Sequence, residues 1–307
     1  MMGQMIVVTA GRRYIDIDAY ACCIAYAELL NLLGKPAIAA STAPWNKSIT
    51  SRLRSLSAPL VTDYVPSPGD EFVIVDLSDP AEFDKIVDQA HIIEIFDHHP
   101  GFEQYWMEKL GNASHIELIG AAATQIYEAW VGSGKAEVMS AQSAELLAAA
   151  ILDNTLNFKA GITTERDKTA YAFLAKHANL DDVWAAKYFM DCQNAIVEDF
   201  AEALRTDTKF LKFKGLHKEL CFGQIAVWDA KRVIADELQT IRAVLADGGD
   251  NWMANIISIS DGRSYFVAQD DVVKSWAENL LDLKFDQGIA IADRLWLRKE
   301  VLRAGNA

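Results

Sequence analysis

Carboxylates and imidazoles gather in this chain directly after apolar runs. Asp97-His98-His99 follows the run at 92–96, Asp76 follows 72–75, and Asp16 and Asp18 stand two apart shortly after 5–9. Mixed carboxylate and imidazole donors suit Mn²⁺, Co²⁺ or Mg²⁺. A lone aspartate after a strand is commonly a helix cap or turn residue. Recurrence changes the reading, because like charges crowded at one end of a sheet oppose one another unless cations neutralise them. A divalent metal site is therefore expected. His98 and His99 leave a strand as neighbours and so point in opposite directions. One is expected to bind metal and the other to face a substrate phosphate.

These groups need a frame. In an open parallel sheet, ligands collect at the carboxyl ends of the strands. The first half of the chain supplies such a sheet: apolar runs at 5–9, 37–40, 71–75 and 91–96 alternate with helical patterns near 19–33, 47–56 and 81–89. Helices are also expected over 121–131, 140–152, 164–176 and 180–188, followed by a long amphipathic stretch at 195–206. Beyond it, alternating patterns at 216–229, 252–260 and 264–269, with helices near 232–246 and 272–281, read as α+β. The expected organisation is α/β: residues 1–190 as a parallel-sheet domain with helices on both faces, and residues 195–307 as a smaller α+β domain.

At 307 residues and 51% hydrophobic content, the chain is long enough for two cores. Its 43 acidic and 29 basic residues give a net charge of −14, which repels a polyanion, so duplex nucleic acid is excluded as a partner. Small phosphates remain compatible if carboxylates hold divalent cations. No run of 18 apolar residues occurs and residues 1–10 lack a secretory pattern, so no membrane partner and a cytoplasmic location are expected. Cys22, Cys23, Cys192 and Cys221 fit neither a disulfide framework nor a CxxC metal site and are read as buried thiols. A homodimer is left open.

The motifs resemble the DHH phosphoesterase superfamily, named for the triplet found here at Asp97-His98-His99. GRRYIDIDA (11–19) is similar to its first motif, IVDLSD (74–79) to its second, GAAATQIYE (120–128) to the segment after the third, and AILDNTLNFKAGITTERD (150–167) to its fourth. RTDTKFLKF (205–213), FGQIAVWD (222–229) and the terminal LRKEVL (297–302) resemble the type-2 DHH-associated domain. That domain accompanies family II manganese-dependent inorganic pyrophosphatases and related exopolyphosphatases.

The resemblance implies hydrolysis of a phosphoanhydride by metal-activated water in a cleft between the two domains, with Mn²⁺ foremost and one or two ions bound. By carry-over, Asp76 bridges the metals, Asp16 and Asp18 serve one each, and His98 binds the second. His99 contacts substrate oxygens, Lys209 clamps the phosphates, and Arg298 and Lys299 are the next candidates. Two positions depart from the pattern. Arg12 stands where a metal-binding histidine is usual, and is assigned to substrate phosphate instead. Asn154 stands at the usual aspartate of the fourth motif, with Asp153 one step earlier as a substitute carboxylate if the register shifts. The alternatives are a nucleotide or oligonucleotide phosphodiesterase, and a phosphate-binding protein whose hydrolysis has weakened.

Overall fold

A computed structural model describes residues 5–56 and 58–306. The chain forms two compact units, Met1–Ala185 and Ala186–Ala307.

The first unit is built on a six-stranded parallel sheet. In chain order it runs β1 (Ile6–Thr9), α1 (Ile17–Leu32), β2 (Ala37–Ala40), α2 (Ser51–Arg54), β3 (Leu60–Val61), β4 (Glu71–Val75) and β5 (Ile92–Asp97). Then come α3 (Glu103–Leu110), β6 (Ser114–Ile116), α4 (Ala122–Gly132), α5 (Ala141–Asn154) and α6 (Glu165–His177). Strand order is β3-β2-β1-β4-β5-β6, so β1, β4 and β5 are adjacent and their carboxyl ends lie side by side. Helix α1 is buried nearly all round, as an internal helix with apolar residues on every face should be. Cys22 and Cys23 are buried within it.

On the other face of the sheet, Val7, Phe72 and Ile74 pack against Phe83, Ile86 and Trp106 of α3. The helix expected over 81–89 does not form, and the crossing from β4 to β5 is irregular up to a short 3₁₀ turn at Gln89–His91. Asp84 explains the difference. Its buried carboxylate accepts from the Thr42 N–H and hydroxyl, both at 2.7 Å, and from the Ile86 N–H. A side chain committed inward at mid-segment competes with helical pairing, while Phe83 and Ile86 still meet the core. Trp106 Nε1–H ties the same crossing down by donating to the Ser78 carbonyl at 2.7 Å. The helix expected over 47–56 shortens to α2, capped by Thr50.

Helix α7 (Trp184–Val197) runs across the division between the units, starting later than the expected 180–188 helix. The second unit contains α8 (Phe200–Thr206), β7 (Thr208–Leu211), β8 (Leu220–Val227), α9 (Ala230–Ala246), β9 (Trp252–Ser258), β10 (Arg263–Ala268), α10 (Asp271–Leu281), β11 (Ile289–Ala292) and α11 (Arg298–Asn306). Its sheet is mixed, ordered β11-β10-β9-β8-β7. Only β8 and β9 pair in parallel, joined by α9 as a βαβ crossover.

Candidate metal centre

Three strand ends carry buried oxygens that have no hydrogen-bond partner among the described residues: Thr9 Oγ1 at the end of β1, Asp76 Oδ1 after β4 and Asp97 Oδ2 at the end of β5. An orphaned buried acceptor costs roughly 1–3 kcal/mol. Adjacent strands repeat the cost at one edge of the sheet, which points to a ligand there.

Asp76 sits at φ 58°, in the left-handed region that a non-glycine residue rarely adopts. Its N–H donates to the Phe96 carbonyl at 2.8 Å, so strand pairing holds the unusual turn. Asp76 Oδ1 lies 3.4 Å from His98 Nε2. His98 is buried, and its Nδ1–H donates to the Ile119 carbonyl at 3.1 Å. That bond leaves Nε2 as the lone-pair nitrogen of the neutral ring. A nitrogen lone pair and a carboxylate oxygen facing one another need a proton or a cation between them. Burial, then Asp18 and Asp16, push the Asp76 pKa well up, so the carboxylate alone is poorly stabilised where it stands.

His99 completes a group in which one ligand atom each from Asp76, His98 and His99 lie within 4.8 Å of one another. Asp97 organises both imidazoles: its Oδ1 accepts from the His98 N–H at 2.8 Å, the His99 N–H at 3.1 Å and the His99 ring Nδ1–H at 2.9 Å. The ring bond from Asp97 raises the His99 pKa. Sequence reasoning treated Asp97 as part of a motif; its work is to aim the two histidines.

Asp16 caps α1, accepting from the Ala19 N–H at 3.1 Å, and lines the cavity beside Asp76. Asp18 is fully buried. Its carboxylate accepts from the N–H groups of Ala122 and Ala123 at 2.9 and 2.8 Å, from Cys22 Sγ at 3.4 Å and from Asn154 Nδ2 at 3.0 Å. Asn154, at the position of the motif's usual aspartate, thus presents its amide nitrogen to Asp18. Asp153 and Asn154 stand outside the three-residue ligand group. Helix α5 runs unbroken through Asp153 and Asn154.

A cavity of about 470 Å³ opens beside these groups, lined among others by Asp16, Asp76, Asp97, His99, Arg13 and Tyr14. Arg13, rather than the expected Arg12, reaches it. Glu82 engages both arginines, with Arg13 bound at 2.7 and 2.8 Å and Arg12 at 3.6 Å. The expected Arg12 therefore swings out to Glu82, 56% exposed.

The candidate basic residues of the second unit differ in how they are held. Lys209 on β7 and Lys299 on α11 are exposed. Arg298 is nearly buried: its guanidinium binds the Asp207 carboxylate and donates to the Asp207 carbonyl at 3.0 Å. Arg298 is thereby committed inside its own unit.

A further layer fixes the loop behind His98. Asp167 is fully buried and accepts from the Gly120 N–H at 3.1 Å, the Thr124 hydroxyl at 2.6 Å, and the Thr164 N–H and hydroxyl at 2.7 and 2.8 Å. With Thr164 it forms the capping box of α6. Gly120 admits no side chain, since a Cβ there would stand 2.5 Å from Asp167 Oδ2 and 2.7 Å from Thr155 Cγ2. Gly120→Ala should displace the adjacent Ile119 carbonyl and weaken Mn²⁺ affinity about tenfold or more. A Mn²⁺ titration checks this; an unchanged affinity would show that Ile119 does not fix His98.

Residues 6–151 match the family model for the DHH family, N-terminal domain. A probable manganese-dependent inorganic pyrophosphatase of Deinococcus radiodurans is 30% identical over 180 residues, which cover 55% of this chain and 53% of that protein. The chain thus spans about half the length of that relative. A probable manganese-dependent inorganic pyrophosphatase of Lactobacillus delbrueckii subsp. bulgaricus is 25% identical over 292 residues, 89% of this chain and 90% of its own. Among solved structures, a Methanococcus jannaschii protein carrying the family II inorganic pyrophosphatase name superposes with a TM-score of 0.64. Identity is 21%, and the match covers 99% of this chain and 100% of that one, which establishes the two-domain fold.

Proposed function

We propose that this chain, whose residues 6–151 match the model of the DHH family N-terminal domain, is a metal-dependent phosphohydrolase cleaving inorganic pyrophosphate or short polyphosphate. The observation that carries this reading is the unpartnered Asp76 Oδ1 facing His98 Nε2 across 3.4 Å at the ends of β4 and β5. The manganese dependence in the names of the relatives supports Mn²⁺ as the ion.

Asp76 and His98 would hold the ion, with Asp16 beside them on the cavity wall. When bound, a divalent ion would lower the pKa of a coordinated water and offset phosphoryl charge. The protein's own part is positional. Ile119 fixes the His98 tautomer, and Asp97 holds His99 by Nδ1, leaving His99 Nε2 to meet a phosphate oxygen. Water oxygen bonds to phosphorus as the bridging P–O bond breaks; the departing phosphate keeps the electron pair, and the proton released by the water passes to phosphate oxygen or solvent. The four cysteines are buried and form no disulfide among the described residues, which supports a reducing compartment.

Phosphate release should be measured from pyrophosphate, tripolyphosphate and long-chain polyphosphate with Mn²⁺, Mg²⁺ or Co²⁺. Turnover of pyrophosphate or tripolyphosphate, fastest with Mn²⁺, is expected. Inactivity on all three overturns the proposal, and cleavage of a dinucleotide in their place selects a phosphodiesterase.

A further inference from the structure

We infer that this chain binds a single divalent ion and that Asn154 keeps a second one out. The inference rests on the metal-dependent reading above and concerns how many ions that site takes.

The resemblance assigns Asp16 and Asp18 to one ion each, yet the capacity of Asp18 is already used. Each oxygen accepts two hydrogen bonds: Oδ1 from the Ala123 N–H and Cys22 Sγ, Oδ2 from the Ala122 N–H and Asn154 Nδ2. A carboxylate offers about four lone-pair sites. Ala122 and Ala123 open α4, so their N–H groups and the helix dipole supply the positive potential that a cation would otherwise provide. The Asn154 amide nitrogen, 3.0 Å from Asp18 Oδ2, turns hydrogens toward that oxygen and repels a cation brought between the two side chains.

The neighbouring positions do not restore the lost ligands. Arg12 has no lone pair to give and lies against Glu82. Asp153 precedes Asn154 on a continuous helix, so it leaves the axis about 100° away from the direction that reaches Asp18. Among the described His, Cys, Asp and Glu residues, the one group of three with ligand atoms within 4.8 Å of one another is Asp76, His98 and His99, and it includes neither Asp18 nor Asp153.

Exchanging the amide for a carboxylate reverses the situation. In Asn154→Asp two carboxylates stand side by side in a buried setting, where both can ionise only with a cation between them. Mn²⁺ binding by the full chain should be counted by calorimetry and native mass spectrometry, with electron paramagnetic resonance to separate isolated ions from coupled pairs. Wild type is expected to take one ion per chain with an isolated-ion signal, and N154D to take two with a coupled-pair signal. Asn154→Ser removes the amide without adding an anionic ligand and should stay at one. Two ions, or none, on wild type overturns the inference, and N154D remaining at one overturns the role of Asn154. If N154D does not fold, the wild-type count decides. One ion bound without pyrophosphate turnover would sink the proposed activity and leave this inference standing; two ions with turnover would do the opposite.

Discussion

Asp76→Asn is expected to abolish Mn²⁺-stimulated pyrophosphate hydrolysis, with a loss of about a thousandfold or more, while leaving the metal-free protein at least as stable as wild type. The two effects have one cause. Asp76 is buried beside Asp18 and Asp16 with one oxygen unpartnered, and burial pushes its pKa up. It is therefore a burden on the empty fold and a benefit only with a cation. Without the ion, nothing lowers the pKa of the attacking water, which is then a poor nucleophile near neutrality. Asparagine tolerates the left-handed backbone at φ 58°, so the substitution is not confounded by strain. Thermal melts separate the effects. Saturating Mn²⁺ at about a thousand times Kd should stabilise wild type by about 4.1 kcal/mol, or about 10 °C at roughly 2–4 °C per kcal/mol, and should not move the variant. A variant that still gains stability from Mn²⁺ would show that Asp76 is not a principal ligand.

Asp167→Ala should act in the opposite sense, damaging the fold first and the site as a consequence. Four hydrogen bonds converge on this carboxylate from Gly120, Thr124 and Thr164. Its removal leaves buried donors unmet at roughly 1–3 kcal/mol each, for an expected loss of about 3–5 kcal/mol. The same change frees the Gly120 backbone next to the carbonyl that orients His98, so Mn²⁺ affinity should fall about 10–100-fold in the fraction that folds. Asp167→Asn keeps one acceptor oxygen and should lose less on both counts. Urea unfolding and Mn²⁺ titration measure the pair; a stable Asp167→Ala protein with unaltered affinity would contradict the scaffold described for the 119–124 segment.

The strand ends were legible because each combines a signal of burial with one of chemistry: an apolar run, then Asp16 and Asp18, Asp76, or Asp97-His98-His99. Helices α5 and α6 were legible for a related reason, since Ser140 and Thr164 are caps and a periodic apolar face follows. The crossing from β4 to β5 was not, because Phe83 and Ile86 satisfy a helical pattern and an irregular segment equally well, and the deciding contact, Asp84 to Thr42, spans 42 residues. Strands β6, β7 and β11 are only three or four residues long and leave too little periodicity to read. The roles of Asp18 and Asn154 depended on partners far along the chain, 104 residues away for Ala122 and 136 for Asn154. Type and spacing announced a polar cluster there. Only folding decided which members turn oxygens toward an ion and which spend them on one another.

The irregular crossing after β4 has a consequence for how this molecule could diversify. Leu77, Ser78, Asp79 and Glu82 line the cavity, yet none belongs to a regular helix or strand. Its anchors, Asp84 on Thr42 and the Ser78 carbonyl under Trp106, bracket the stretch between them. Glu82 and Asp84 are also tied to the loop after β1, through the Arg12 N–H to the Glu82 carbonyl and the Asp84 N–H to the Ala10 carbonyl, so residues added between Ser78 and Glu82 should reshape the chamber's outer wall without sliding any strand past its neighbour.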